Sequence, residues 1–456
     1  MPIEPEIAEH PRSEALEAFL RMEDPTRSHG EVETHLRRGC LRCQLQVYRI
    51  LRVLHRKAGA DQAGAKDLES RVRRGYALFH RHEVLATGER RLAPYLRERL
   101  RTLTWERQQE AVHRQPEFQL YTLADLLTDE ARAAAIDDVS RTLDVARLAV
   151  AVAEEVGRVV YPPGLAADAR CRAASALGNA HRVRAELREA ERAFATARAH
   201  LEDGEKHPAD RAEYLSLLGS LRLDQARFGE AVEVLEEAAG LYQQVGDRTG
   251  EGKALLKLGR AAGEAAHPTR AVRFLEQAEE ILAAVGEDRF RVYARHSQAH
   301  WLTEAGRAWE AMALFRSSKT DFQRHFRSPS EAPRIPWLAG KIYEGLGQLD
   351  LAEEQYEVAR NAFWDDQLRF YFVVATLDRV AVLLELGRTE EVKRLAEELV
   401  PVFRSCDLPK EAAVALVYFQ RAVLTESATV RAVRELATYL RRARTNPDLP
   451  YPAEGS

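Results

Sequence analysis

Small residues recur along the last two thirds of the chain at Ala190, Ala231, Ala271, Ala311, Ala352, Val392 and Ala432, spaced 41, 40, 40, 41, 40 and 40 residues apart. A large or apolar side chain usually follows four residues later and a small one seven later, as in Phe194 and Ala197, Leu235 and Ala238, Leu275 and Ala278, and Tyr356 and Ala359. Offsets of 0, 4 and 7 share one face of an α-helix. Twelve and thirteen residues upstream of the small position stands a second pattern: Leu177-Gly178, Leu218-Gly219, Leu258-Gly259 and Ala339-Gly340. It sets a Gly where a preceding helix must come close to its partner. The repeated unit is therefore a helical hairpin, and its repetition predicts an array in which each hairpin buries its apolar face on its neighbours.

The pattern resembles the tetratricopeptide repeat, whose first helix carries a Leu-Gly pair and whose second carries a small, large, small triplet at these offsets. The likeness covers about residues 160 to 440 and weakens at Ala299 and Gln420, which replace the Gly. The resemblance implies an all-α chain forming a right-handed superhelical array of hairpins. The period of 40 or 41 exceeds the standard of about 34. Longer helices and looser turns between hairpins, such as Gln244–Gly250 and Gly286–Asp288, are expected to absorb the surplus.

Upstream of the array the texture changes. Residues 1–46 hold a Cys pair and two short helical stretches, Ser13 to Arg21 and about Gly30 to Arg38. Residues 47–135 form a charged connector and N-terminal cap, residues 136–440 the array, and residues 441–456, with three prolines, a disordered tail. Apolar residues recur at helical spacing between Gln44 and Lys57, and Gly59–Gly64 reads as a loop. In the connector Arg71, Arg73, Arg74, Arg81, Arg90, Arg91, Arg97, Arg99, Arg101 and Arg107 alternate with Glu83, Glu89, Glu98, Glu106 and Glu110. Mixed signs make a solvated face rather than a phosphate-binding stripe, so nucleic acid ranks low among partners. The last helix, with Arg441, Arg442 and Arg444, is expected to cap the array with a polar outer face.

Sixty-seven basic and 71 acidic side chains leave a net charge of −4, which supplies no global attraction to nucleic acid or anionic membrane. No apolar run approaches the length of a membrane span and the first residues are acidic, so a cytoplasmic protein is expected. Four cysteines in 456 residues cannot staple the chain, and Cys40 and Cys43 sit three apart, as a metal pair does. Cys171 and Cys406 are isolated packing residues. No phosphate-binding loop, dinucleotide fingerprint or nucleophile elbow occurs, and no residue is a candidate for catalysis.

His35 precedes Cys40 and Cys43, which together supply three ligands, and a structural zinc takes four. His10 or His29 completes the set. The segment His10 to Leu20, a polar loop, then Val32 to Leu36 and the Cys pair resembles the zinc-binding module of anti-sigma factors, in which an upstream ligand joins a His and a Cys pair. That likeness implies His10, His35, Cys40 and Cys43 as ligands, with His29 as the alternative, and a structural Zn²⁺ tying two helices. The step from His35 to Cys40 is one residue longer than in that family, and Gly39 is expected to swing the cysteines back through a left-handed turn.

The tetratricopeptide resemblance also implies a ligand-facing groove, lined by first-helix residues 18, 15, 11 and 8 positions before the small residue. Those offsets select Arg172, Asn179, Arg182, Lys253, Arg260, Tyr293, His296, His300, Arg334, Trp337 and Lys341, with Glu213 and Glu344 on the same surface. The basic and aromatic bias suits an acidic or C-terminal peptide segment. His296 and His300 share a helix face, but Ser297 stands where a zinc protease has Glu. The reading that follows is a bacterial, non-enzymatic interaction scaffold or regulator. Its partner is a polypeptide: a sigma-like factor if the N-terminal module works as in anti-sigma factors, or an effector enzyme such as a protease if the chain is an adaptor.

Overall fold

In a computed structural model the described residues are 10–21, 32–36, 40, 42, 43, 46, 47, 50, 87–156, 161, 163–405 and 410–443. Of the features above, His29, Gly39, Arg71, Arg73, Arg74, Arg81, Glu83, Cys406, Arg444, the loop at 59–64 and the tail from 446 lie outside them. The fold is all-α, and no strand occurs among the described residues.

The chain divides into two compact units, residues 1–210 and 211–456, with the division in the first turn of a helix. Unit 1 contains α1 (Ser13–Arg21), a helical turn at 32–36, α2 (87–101), α3 (Trp105–Arg114), α4 (Tyr121–Asp137), α5 (Val139–Glu155), α6 (Pro163–Val183) and α7 (Leu187–Asp203). Helix α8 (Pro208–Asp224) opens unit 2. There follow α9 (Phe228–Val245), α10 (Arg248–Glu264), α11 (Pro268–Ala284), α12 (Asp288–Glu304), α13 (Ala308–His325), α14 (Arg334–Gly345), α15 (Leu349–Asp365), α16 (Arg369–Glu385), α17 (Thr389–Ser405), α18 (Lys410–Leu424) and α19 (Val430–Ala443).

The period is explained by helix length. Helices α10, α11 and α12 have 17 residues each and are joined by three-residue turns. In this stretch the surplus over the standard repeat lies in the helices, and the looser turns expected at Gln244–Gly250 and Gly286–Asp288 are absent: α9 ends at Val245, Gly246 adopts φ 75°, and the Asp247 side chain already caps α10 by accepting from the Gly250 N–H at 2.8 Å. A longer connection, residues 326–333, does separate α13 from α14, which has only 12 residues.

Each hairpin turns through a left-handed residue five positions before the small one: Ala185, Ala226, Ala266, Gly306, Gly347 and Gly387, with φ between 58° and 75°. Three of these positions tolerate a Cβ where Gly would be unstrained. Just after the turn, Arg227, Arg307 and Arg388 each clasp a Glu three residues on, as in Arg227 Nη2 to Glu230 Oε2 at 2.6 Å.

The recurring pairing of Gly with the large residue is a steric one. A Cβ built on Gly178 would lie 2.8 Å from the Phe194 ring, on Gly219 2.5 Å from Leu235 Cγ, on Gly259 2.5 Å from Leu275 Cγ, and on Gly340 2.7 Å from the Tyr356 ring. The small residues Ala190, Ala231, Ala271, Ala311 and Ala352 are fully buried. Sequence pattern and packing thus coincide: the Gly of the first helix receives the large side chain of the second.

The expected capping role of the last helix is not what is observed. By spacing, α19 stands where the second helix of a final hairpin belongs, yet it packs chiefly on α16 and only slightly on α18. Val433, Leu436, Ala437, Leu440 and Ala443 are buried in one cluster with Leu377, Val380 and Leu383 of α16. Arg434, Arg441 and Arg442 point at the array rather than outward, because an apolar stripe this complete is better buried on α16 than left half-covered at the end. Among the described residues no helix is long and apolar enough to cross a membrane.

Candidate binding groove and metal centre

In unit 1, His10 stands just before α1, His35 on the helical turn, and Cys40 and Cys43 after it. Their donor atoms all lie within 4.8 Å of one another. His35 Nε2 is 3.1 Å from Cys43 Sγ, and His10 Nδ1 is 3.5 Å from both sulfurs. Donors around a tetrahedral zinc stand about 3.3–3.8 Å apart, given bond lengths of about 2.0–2.3 Å. The set therefore fits a metal ion. Leu16, Phe19 and Leu20 of α1 pack on Val32, Leu36 and Val47, which brings the two halves together, and His35, Cys40 and Cys43 are buried while His10 is exposed. Burial and then the neighbouring Cys40 push the Cys43 thiol up to about 12. A cation among the sulfurs is the ordinary way to keep such a pair ionised.

Unit 2 contains a groove of about 870 Å³. Its walls come from successive first helices: Asp224 at the end of α8; Arg260 and Glu264 of α10; His296, His300, Trp301 and Glu304 of α12; Arg334, Trp337 and Lys341 of α14; Phe370 and Tyr371 of α16. Thr438, Arg441 and Arg442 of α19 close one side.

Six residues selected by the repeat offsets meet here: Arg260, His296, His300, Arg334, Trp337 and Lys341. The others do not. Arg172 in unit 1 is held by Asp125 at 2.7 Å, by Asp210 at 3.0 Å and by the Tyr121 hydroxyl. Buried Asn179 accepts from Arg182 Nε at 3.0 Å. Lys253 pairs with Glu287 at 3.3 Å and lies over the Phe290 ring, and Tyr293 donates to Glu331.

At the groove floor, Trp337 Nε1 donates to buried Asp378 at 2.8 Å, and Lys341 and Arg441 approach the same carboxylate at 3.7 and 3.3 Å. Burial alone would raise the Asp378 pKa, but Lys341, Arg441 and the indole N–H outweigh it and hold it below the usual carboxylate range. The Trp337 ring meets Phe363 and Tyr371 edge-on. His296 packs on Phe322 and Phe326, and His300 on Trp301 at 4.6 Å. Burial, then Arg334, lowers His296 to about 4; burial, then Lys341, lowers His300 to about 3. Both imidazoles are neutral near pH 7, and both report a positive local field. Arg260 forms no ion pair or hydrogen bond among the described residues, and Arg334 Nε bonds only the Ser330 carbonyl.

Offset reasoning missed Asp378 and the arginines of α19. It also missed a signal that was present in the spacing: Asp224, Glu264, Glu304, Glu344 and Glu385 stand at or next to the ends of α8, α10, α12, α14 and α16, 40 or 41 residues apart. In the connector, Arg97 pairs with Glu130 and Glu98, Arg99 with Glu117 at 3.7 Å, and Arg101 with Glu98 at 2.8 Å, which is the charge mixing the sequence predicts.

Residues 210–284 match the tetratricopeptide repeat family. No curated protein matches the sequence. Among solved structures, a Rap protein complexed with Competence and Sporulation Factor is similar at 11% identity and TM-score 0.56, covering 72% of this chain and 88% of that one. The quorum sensor NprR is similar both with its cognate peptide NprX (15% identity, 69% of this chain and 88% of that one, TM-score 0.50) and in its apo form from B. thuringiensis (16%, 65% and 81%, 0.50). These define the class, an array of tetratricopeptide-like hairpins. The family itself is matched over the stretch from α8 through α11, and at such identities the solved structures share the fold.

Proposed function

We propose that the chain is a polypeptide-binding regulator whose groove in unit 2 captures a segment of a partner protein. The observation that carries this reading is the convergence of Arg260, Arg334, Lys341 and Trp337 with two neutral imidazoles in one groove of about 870 Å³, a size that takes several residues of a bound chain. Arg260 and Arg334, which have no carboxylate partner among the described residues, are the contacts for an acidic side chain or terminal carboxylate. Support comes from similar folds: the Rap protein was solved with Competence and Sporulation Factor and NprR with its cognate peptide.

His10, His35, Cys40 and Cys43 would hold a structural zinc, a staple for a module with a small core. The module's likeness to that of anti-sigma factors makes a sigma-like protein the first partner to try, and an effector protease the alternative. The test is capture of partner by wild-type protein and by Arg260→Glu/Arg334→Glu in parallel. These two positions are chosen over Trp337 and Lys341 because the first of these donates a hydrogen bond to buried Asp378 and the second pairs with it, and their loss would perturb folding as well as binding. Loss of capture by a folded variant supports the groove, and unchanged capture moves recognition elsewhere.

A further inference from the structure

Helix α19 lies where no hairpin partner would lie, and its cations are matched to the acids that recur along the array. Arg434 Nη2 reaches Glu344 at 2.7 Å and Glu385 at 2.5 Å. Arg442 reaches Glu264 at 3.2 Å across 178 residues of sequence and covers the Phe228 ring at 4.8 Å. Arg441 shares Asp378 with Lys341. Glu304, the ladder member between Glu264 and Glu344, lines the groove exposed and forms no ion pair among the described residues. The ladder therefore offers a row of carboxylates at regular spacing, and α19 answers all but one of those from Glu264 to Glu385.

We propose that α19 is a detachable strap that sets the sign of the groove. Docked, it pairs with Glu264, Glu344 and Glu385, joins Lys341 on Asp378, and adds Arg441 and Arg442 to the wall, so that among the described groove residues the unpaired cations Arg260 and Arg334 outnumber the unpaired Glu304 and the groove takes an acidic segment. Released, it uncovers the carboxylate ladder, and the same groove takes a basic amphipathic helix with cations spaced like Arg434, Arg441 and Arg442. The exposed ends of its ion pairs make the strap electrostatically labile: Arg434, Arg441 and Arg442 keep 48%, 34% and 37% of their side-chain surface. Such pairs are weak individually and screened by salt, while the apolar face of α19 supplies the larger share of docking. This inference rests on the reading of the groove as a polypeptide site, but its test does not require the natural partner.

The experiment uses the full chain, wild type and Arg434→Glu/Arg442→Glu, with two fluorescent probes: a Glu-rich peptide and a synthetic peptide of residues 428–445. Hydrogen exchange over α19 and α16 reports the strap. Expected results are slow exchange of α19 and no uptake of the 428–445 peptide by wild type, then exchange at least tenfold faster in α19 than in α16 and at least tenfold tighter peptide uptake by the variant. Adding Glu264→Arg should restore α19 protection by re-forming one pair with reversed polarity, which also controls for a variant that merely unfolds. The proposal is overturned if the variant keeps α19 as protected as wild type, or if α19 opens without any gain in peptide uptake. Failure of wild type to bind the Glu-rich probe, with the variant still gaining the 428–445 peptide, would remove the acidic-segment reading and leave the strap in place.

Discussion

Substituting Gly259 with Ala tests the packing rule on which the array is built. In an exposed helix the change would stabilise by about 1 kcal/mol, because Ala is the better helix former. Here the new methyl would sit 2.5 Å from Leu275 Cγ and 2.7 Å from its Cδ2, against a normal carbon contact of about 3.5–4.0 Å. Leu275 is fully buried, so one of the two helices must move by about 1 Å. Overpacking of that kind costs about 1–3 kcal/mol. The expected net is a loss of up to about 2 kcal/mol. Leu275→Ala alone should cost about 2–5 kcal/mol by leaving a cavity. In the double variant the new methyl partly fills that cavity, so the combined loss should fall short of the sum by about 1 kcal/mol or more. Urea unfolding followed by circular dichroism, with hydrogen exchange on α10 and α11 to localise the effect, measures all three. A stabilised single variant, or strictly additive losses, would refute the close approach.

Other expectations can be checked on the same material. Ala226→Gly and Ala266→Gly should each raise stability by about 0.5–1 kcal/mol, because their left-handed φ of 58° and 64° strains a Cβ more than the extra chain entropy of Gly costs. Purified protein should bind about one zinc per chain by metal analysis, and Cys40→Ser/Cys43→Ser should lose it while keeping most helical signal, since the array folds on its own contacts. The imidazoles of His296 and His300 have folded pKa values of about 4 and 3, below the unfolded value of about 6.5, so the unfolded chain binds more protons and stability falls with pH from about 6.5 toward 4. Between pH 7 and 5 His300→Gln should abolish a loss on the order of 1–2 kcal/mol, seen as a flatter pH dependence of the urea midpoint; an unchanged slope would mean that His300 is not enclosed as described.

The repeat was legible because its packing is local. Gly259 meets Leu275 sixteen residues away, within one hairpin, and the same relation holds at Gly178, Gly219 and Gly340, so a period in the sequence is a period in the contacts. The clustering of His10, His35, Cys40 and Cys43 was legible for a related reason: Cys40 and Cys43 are close in sequence, and the apolar positions of α1 and of residues 32–47 bring the rest together. Groove chemistry was less so. Whether Lys341 is free to meet a ligand depends on Asp378 in the following first helix, an acid beside Arg379 in the largely apolar run from Phe370 to Val382, which no offset rule marks. The placement of α19 escaped for a different reason. Ala432 keeps the 40-residue beat of a second helix, and the pattern says which face is apolar but not whether α18 or α16 covers it.

The bond from Arg442 back to Glu264 also changes what kind of object the array is. Identical hairpins can in principle be added or lost without disturbing distant parts of an array, because each hairpin touches only its neighbours. Here the chain's end is tied to a point 178 residues upstream, so the tether has a fixed span. Removing one 40-residue hairpin between the two anchors would bring Arg442 into register with Asp224 in place of Glu264, and inserting one after α12 would bring it into register with Glu304. The tether is therefore indexed to the repeat: because an acid recurs near the end of each first helix from Asp224 to Glu385, a change of one hairpin hands Arg442 from one carboxylate to another, and copy-number variation keeps the kind of contact while changing its partner.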